Sequence, residues 1–320
     1  MNSFRTLCHF LFCCLALVGA ARAQFQFATT FTASPLTFTV ADPNALYRDL
    51  TPAEIASYAP VVYLSPFESY HPMDPVTFVQ RARFRHHRGW SSDQGFHRHT
   101  FQWVTTNSHA PEYYNVPMHV LNAYAPHANG RNRRPRDADC GDSYNVFLET
   151  DDNETGVANP NGSVPVFYTY RRSGSWHKIQ YWWFFGYNNT VVPGIDHQGD
   201  WEHVTLWVYN GAVRSVYFAA HEGGTTVQAS NLTMMGKRPV VFVALGTHAA
   251  YPTPGLQHFP IGLGMSFVDY TGYGQRWDTH GNLKPLANQP WKDFAGAWGE
   301  VGNLSTTTGP LGPWHKRDDP

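Results

Sequence analysis

Asp196-His197-Gln198-Gly199-Asp200-Trp201-Glu202-His203 gathers three carboxyls and two imidazoles into eight residues. The apolar alternation that follows, Val204 to Val208, reads as a β-strand. Carried backwards with period two, that strand puts Asp200 and Glu202 on the face of Val204, Leu206 and Val208. Trp201, His203, Thr205 and Trp207 take the opposite face. Same-face neighbours stand about 7 Å apart, so the two carboxylates can bend toward one point between them.

Two acids at the end of an apolar stripe repel each other and are costly to desolvate unless a cation or a donor network joins them. A hard divalent ion, Ca²⁺ or Mg²⁺, held at about 2.0–2.6 Å by Asp200 and Glu202 with His197 beside them, is one solution. Zinc is disfavoured, because the sequence has no HExxH and no paired Cys. The other solution needs no metal: an ion-pair or hydrogen-bond hub in which Asp200 and Glu202 anchor backbone amides or Arg214. Downstream, His221 and His248 each stand just beyond an apolar strand, where a rigid scaffold presents a side chain to a ligand. Together with Asp196 and Asn188 they are candidate binding residues.

Covalent catalysis has little to work with, since no G-x-S-x-G elbow, Walker loop or dinucleotide fingerprint occurs. A metal-dependent hydrolase of a phosphoryl or glycosyl substrate stays open as the alternative, with His197 or His248 as proton shuttle. Against it, carboxylates two apart on one strand lie side by side, whereas a glycosidase pair flanks the scissile bond.

The elements that must position these groups are short strands divided by Gly, Pro and Asn. Ala59 to Leu64, Val164 to Tyr170, Lys178 to Phe185, Trp201 to Tyr209, Val213 to Ala220 and Pro239 to Leu245 read as strands. Thr51, Pro52 and Glu54 open a short helix over Ala53 to Tyr58. The total is an all-β chain with short helices, a β-sandwich with long loops. Residues 49–305 form its single domain, after an extension at 24–48. The polar segment 125–143, with the basic run Asn129 to Arg136, is an insertion, and 306–320 is a flexible Gly/Pro-rich tail.

Charged residues make up only 15% of the chain and the net charge is −1, which argues against a nucleic-acid scaffold. Hydrophobic residues at 42% argue against disorder. Residues 1–23 read as a signal peptide: Arg5, the apolar run Leu7 to Leu17, then Ala21-Arg22-Ala23, too short to span a bilayer. Three of the 4 cysteines lie inside it, leaving Cys140 with no intramolecular partner. Sequons at Asn153, Asn161, Asn188, Asn231 and Asn303 agree with a secreted, extracellular glycoprotein.

Tyr58 to Leu64, Ile179 to Phe185, Gly199 to Val204, Arg238 to Val241 and Gly246 to Pro252 resemble, in that order, motifs of the vacuolar-protein-sorting-62-like family, across roughly Leu50 to Tyr251. More distantly, Asp196 to Glu202 is similar to the hallmark Gly-His-Arg-His-Asp-Trp-Glu of the necrosis- and ethylene-inducing-peptide-like cytolysins. That resemblance implies a β-sandwich holding a divalent cation through His197, Asp200 and Glu202 beside a cavity for a membrane lipid. Gly199 stands where the hallmark has its second histidine, and Asn188 lies near the place of an upstream aspartate. The resulting expectation is a metal-assisted, non-enzymatic binding protein for a glycan or a sugar-bearing membrane lipid headgroup at a cell surface, cytolysin-like or an effector, with no nucleic-acid partner and no transmembrane segment.

Overall fold

The computed structural model describes residues 47–86, 113–114, 118, 121, 146–151, 153–190, 196–221, 223–262, 265–300 and 308–316. The expected signal peptide, residues 24–46 of the extension, the basic insertion with Cys140, and the Asn303 sequon lie outside them.

In chain order the first half contributes α1 (Pro52–Tyr58), β1 (Val61–Tyr63), α2 (Pro75–Arg81), β2 (Arg83–His86), β3 (Tyr113–Tyr114) and β4 (Val146–Glu149). The long strands follow: β5 (Val166–Ser173), β6 (Trp176–Asn188), β7 (His197–Tyr209), β8 (Ala212–Ala220) and β9 (Gly223–Gln228). Then come β10 (Met234–Met235), β11 (Arg238–Val243), β12 (Ala250–Tyr251), β13 (Gly255–Gly262) and β14 (Met265–Thr271). The last are β15 (Arg276–Asp278), β16 (Leu283–Pro285) and β17 (Ala297–Trp298).

The central sheet runs β16-β5-β6-β7-β8-β9. Tyr181, Trp183, Phe185, Val204, Leu206 and Val208 form one of its faces and pack with Val62, Val241, Val243 and Trp277 from the sheet β10-β11-β1-β15. Trp182, Phe184 and Trp201 form the other face and pack with Phe84, Leu148 and Trp298 from the sheet β17-β4-β2-β3, and with Phe78 and Val79 of α2. The sandwich therefore has a layer on each side of its central sheet. This is why β6 carries an unbroken apolar run, Tyr181 to Phe185, rather than alternation: both faces are covered.

The alternation expected around Asp200 holds, with Val204 in one core and Trp201 in the other. The α1 capping box also forms: Glu54 N donates to Thr51 Oγ1 at 3.2 Å, and Thr51 N donates to Glu54 Oε2 at 2.8 Å. The expected flexible tail differs over Thr308–Lys316. Trp298 N donates to Pro310 O at 2.8 Å, Gly309 N donates to Glu300 O at 2.8 Å, and Leu311 bridges Ala297, so this stretch is a packed strap. Its Gly and Pro residues serve close backbone approach: a Cβ on Gly309 would meet the Gly299 Cα at 2.5 Å.

Candidate functional site

β7 and the turn after β11 meet at a buried charged hub. Asp200 is 3% exposed and sits opposite Phe185 in the β6–β7 register. His248 is wholly buried and reaches Asp200 Oδ2 through Nδ1 at 3.0 Å. Its Nε2 lies 3.7 Å from Glu68 Oε2, an ion-pair distance, and its ring stacks on Phe185. The turn that delivers it needs glycine at 246, where φ is +73° and a Cβ would lie 1.9 Å from the Asn189 carbonyl oxygen. His248 itself adopts φ 56°, a left-handed conformation unusual for a side chain of its size. Such local strain persists where surrounding contacts over-determine it, here the ion pairs and the ring stack.

Burial alone would discharge the His248 ring, yet the Asp200 and Glu68 carboxylates outweigh it and hold its pKa up to about 9. Burial likewise opposes the charge on Glu68, but His248 and the N–H groups of Gly246 and Tyr70 bring its pKa down to about 2. Asp200 is also held below the ordinary carboxylate range, against burial, first by the His248 bond. The hub is thus an imidazolium between two carboxylates. Asn188 closes it: buried at 7% exposure, it donates from Nδ2 to Asp200 Oδ2 at 3.0 Å and to the Thr247 carbonyl at 3.2 Å.

An outer tier adjoins it. Asp269 accepts from Thr247 Oγ1 at 2.9 Å, Tyr251 OH at 2.6 Å and His221 Nε2 at 2.8 Å. These donors keep Asp269 ionised despite burial, while burial and then Asp269 push the Tyr251 phenol up. The His221 side chain is 24% exposed and opens this tier to solvent.

Of the candidates, Asp200, Asn188 and His248 come together. Glu202 extends toward Tyr251, whose phenol it helps to raise. His197 turns Nδ1 to the Gly199 carbonyl at 2.8 Å, and Asp196 accepts from Thr190 N at 2.8 Å and Thr190 Oγ1 at 3.0 Å, tying together the ends of the β6–β7 connection. His221 joins the outer tier. Arg214 takes no part in the hub and lies instead over the Tyr209 ring. Among the described residues no three His, Cys, Asp or Glu side chains converge as a metal would require. Asp200 Oδ2, an oxygen such an ion would use, already accepts from Asn188 and His248.

Among the sequons, Asn153, Asn161 and Asn231 are exposed. Asn161 commits its amide nitrogen to Asn159 Oδ1 at 2.9 Å and Arg276 O at 3.0 Å. The Asn188 nitrogen faces the hub rather than solvent, which excludes a glycan on it in the folded chain.

Sequence reasoning missed Glu68 and Asp269. Nothing marks Glu68, one acid in the loop after β1. Asp269 carried a signal, as the first charged residue after an uncharged run from Ala249 to Val268.

A second concavity lies on the Trp182 face of the central sheet, a cavity of about 470 Å³. β5 and β6 supply Thr169, Gln180 and Trp182, and the strap supplies Pro313, Trp314 and Lys316. Trp314 is 46% exposed, with Lys292 Nζ 5.1 Å from its ring centroid. Lys316 Nζ anchors the strap by donating to the Trp201 carbonyl at 2.8 Å.

Residues 188–264 match the family described as vacuolar protein sorting-associated protein 62, a span that holds the hub residues other than Glu68 and Asp269. Vacuolar protein sorting-associated protein 62 of Saccharomyces cerevisiae is 24% identical over 292 residues, covering 79% of this chain. This chain spans only 60% of that protein's length. The putative vacuolar protein sorting-associated protein TDA6 of the same yeast is 24% identical over 328 residues, 84% of this chain and 68% of that one. Among solved structures, the non-toxic HaNLP3 protein is similar at 10% identity, covering 77% of this chain and 78% of that one, with a TM-score of 0.35. Necrosis and ethylene inducing protein 2, from the causal agent of witches' broom disease of cocoa, is similar at 13% identity, 65% and 70% coverage and a TM-score of 0.30.

Proposed function

We propose that this chain is a non-enzymatic binding protein for a saccharide, free or on a lipid headgroup, and that it acts outside the cell. The observation that carries the binding reading is the strap-covered cavity, whose lining includes the exposed Trp314 together with Thr169 and Gln180. A sugar ring offers apolar C–H faces to an aromatic plane and hydroxyls to neutral polar groups, and this lining has both. The extracellular reading rests on the leader-like residues 1–23.

Hydrolysis is the weaker reading. A proton shuttle must exchange with substrate or water, and His248 is sealed between two acids it neutralises. The test is a saccharide array probed with the full chain and with Trp314→Ala. Array binding that the variant loses supports the proposal. Binding untouched by the variant moves the site elsewhere, and release of cleaved sugar by the parent chain favours a hydrolase.

A further inference from the structure

Resting on the saccharide reading of the strap-covered cavity, we infer that its ligand is an extended oligosaccharide, a β-1,4-linked chain that leaves the cavity and runs along β5 and β6 to Trp176. The path begins where the second-layer core ends. Phe167 and Trp182, partners across β5 and β6, belong to that core. Beyond them the same face carries Thr169 with Gln180, then Arg171 with Lys178, then Ser173 with Trp176. Exposure rises along this series, from buried Phe167 and Trp182 through partly buried Thr169 and Gln180 to exposed Arg171, Ser173 and Trp176. The cavity therefore continues as a surface trough toward the β5–β6 turn.

Aromatic rings mark both ends of this trough. Trp314 is the exposed ring at the cavity, and Trp176 is 45% exposed near the turn. One exposed aromatic is ordinary on a protein surface. Two along one course, with hydroxyl and amide groups between them, repeat the aromatic-plus-polar lining that a sugar needs. Trp176 is also held in place, because its ring packs on Tyr209, its partner across β6 and β7, with centroids 4.9 Å apart. A ring fixed in this way loses little freedom when a ligand stacks on it. Midway, Thr169 Oγ1 donates to Gln180 Oε1 at 2.9 Å, so the amide N–H groups of Gln180 are the ones it offers to a ligand hydroxyl.

The strand sets the length and shape of the ligand. Trp176 stands six positions before Trp182 on β6, a run of about 20 Å at the rise of a strand. A single sugar ring seated in the cavity cannot reach it, whereas a chain of several rings can. Because the course follows one strand pair, it suits the extended form of a β-1,4-linked chain and not the coiled form of an α-1,4-linked one.

The test is calorimetric titration of the full chain with the dimers and hexamers of β-1,4-linked glucose, N-acetylglucosamine and mannose, and with maltohexaose as the coiled control. At least one hexamer should bind about tenfold or more tightly than its own dimer, the order that one further aromatic platform supplies. Trp176→Ala should erase that gain, leave dimer binding as in the parent chain and, at an exposed position, leave the melting temperature unchanged. Trp176→Phe keeps a ring there and should restore most of the gain. Trp314→Ala should weaken dimer and hexamer alike. Equal binding of dimer and hexamer in every series overturns the inference and leaves the saccharide reading standing. So does a gain that survives Trp176→Ala, since the hexamer would then only repeat one short site, and so does maltohexaose binding as tightly as the best hexamer. Absence of binding by every sugar overturns both readings.

Discussion

The Trp298 carbonyl oxygen packs directly against Gly199, so that a Cβ at 199 would lie 1.7 Å from it. Gly199 also sits at φ +64°, where side chains are strained. This explains why the segment before Asp200 departs from the hallmark it resembles: the second histidine of that pattern has no room, because β17 passes over the backbone here. Gly199→Ala should combine left-handed strain with overpacking, each costing about 1–3 kcal/mol. Urea unfolding that moves by less than about 0.5 kcal/mol would contradict this contact.

The His248 imidazolium is the counter-charge of Asp200 and Glu68, so its removal strands two buried acids. His248→Phe should cost about 3–5 kcal/mol, the usual penalty for breaking a buried pair. In Asp200→Asn with His248→Phe, part of that cost should vanish, leaving a coupling of about 1 kcal/mol or more. Strict additivity in that double-mutant cycle would mean the two groups do not stabilise each other.

How far the sequence reached depends on the distance over which each feature is specified. The face shared by Asp200 and Val204, and the Thr51–Glu54 capping box, follow from period and spacing within a few residues, and both formed. The hub's other half did not follow, because Glu68 and His248 reach Asp200 only through tertiary packing of separate layers. The unbroken run from Tyr181 to Phe185 did signal burial on both faces, yet a sandwich reading assigns it a single partner layer. The strap was opaque for another reason: Gly and Pro read as loose chain, while here they permit backbone contacts to Trp298 and Glu300.

Glu68 gives the hub a pH signature. Its folded pKa of about 2 lies below the ordinary 4.5, so its contribution is complete above about 4.5 and is lost as the pH falls through the range between them. The size is on the order of 3 kcal/mol. Unfolding free energy of the parent chain should therefore fall on acidification across that window, and Glu68→Gln should flatten the slope. An unchanged slope in the variant would place the acid sensitivity elsewhere.

Trp201 separates the site from its scaffold. Its ring is fully buried against Phe184, Trp291 and Trp298, on the face opposite Asp200. Trp201→Ala should cost about 3–5 kcal/mol as a large-to-small core change. Denaturant midpoints measured with and without added Ca²⁺ should show the same loss, and a loss that depended on the ion would tie this core to a metal.

The hub competes for Asp200 with the cation that the cytolysin resemblance implies. A ligand that binds only the folded state raises stability by mass action, so stripping it lowers the melting temperature. In the hub, His248 already supplies positive charge to Asp200, and Asp200 Oδ2 already accepts two hydrogen bonds. A divalent ion at that oxygen would have to displace Asn188 and repel the imidazolium. Excess chelator should therefore leave the melting temperature of the full chain unchanged within about 1 °C, and elemental analysis should find less than stoichiometric Ca, Mg or Zn. A drop of several degrees that added Ca²⁺ or Mg²⁺ restores, and that Asp200→Asn abolishes, would show that the acids hold a metal and that His248 swings away to admit it.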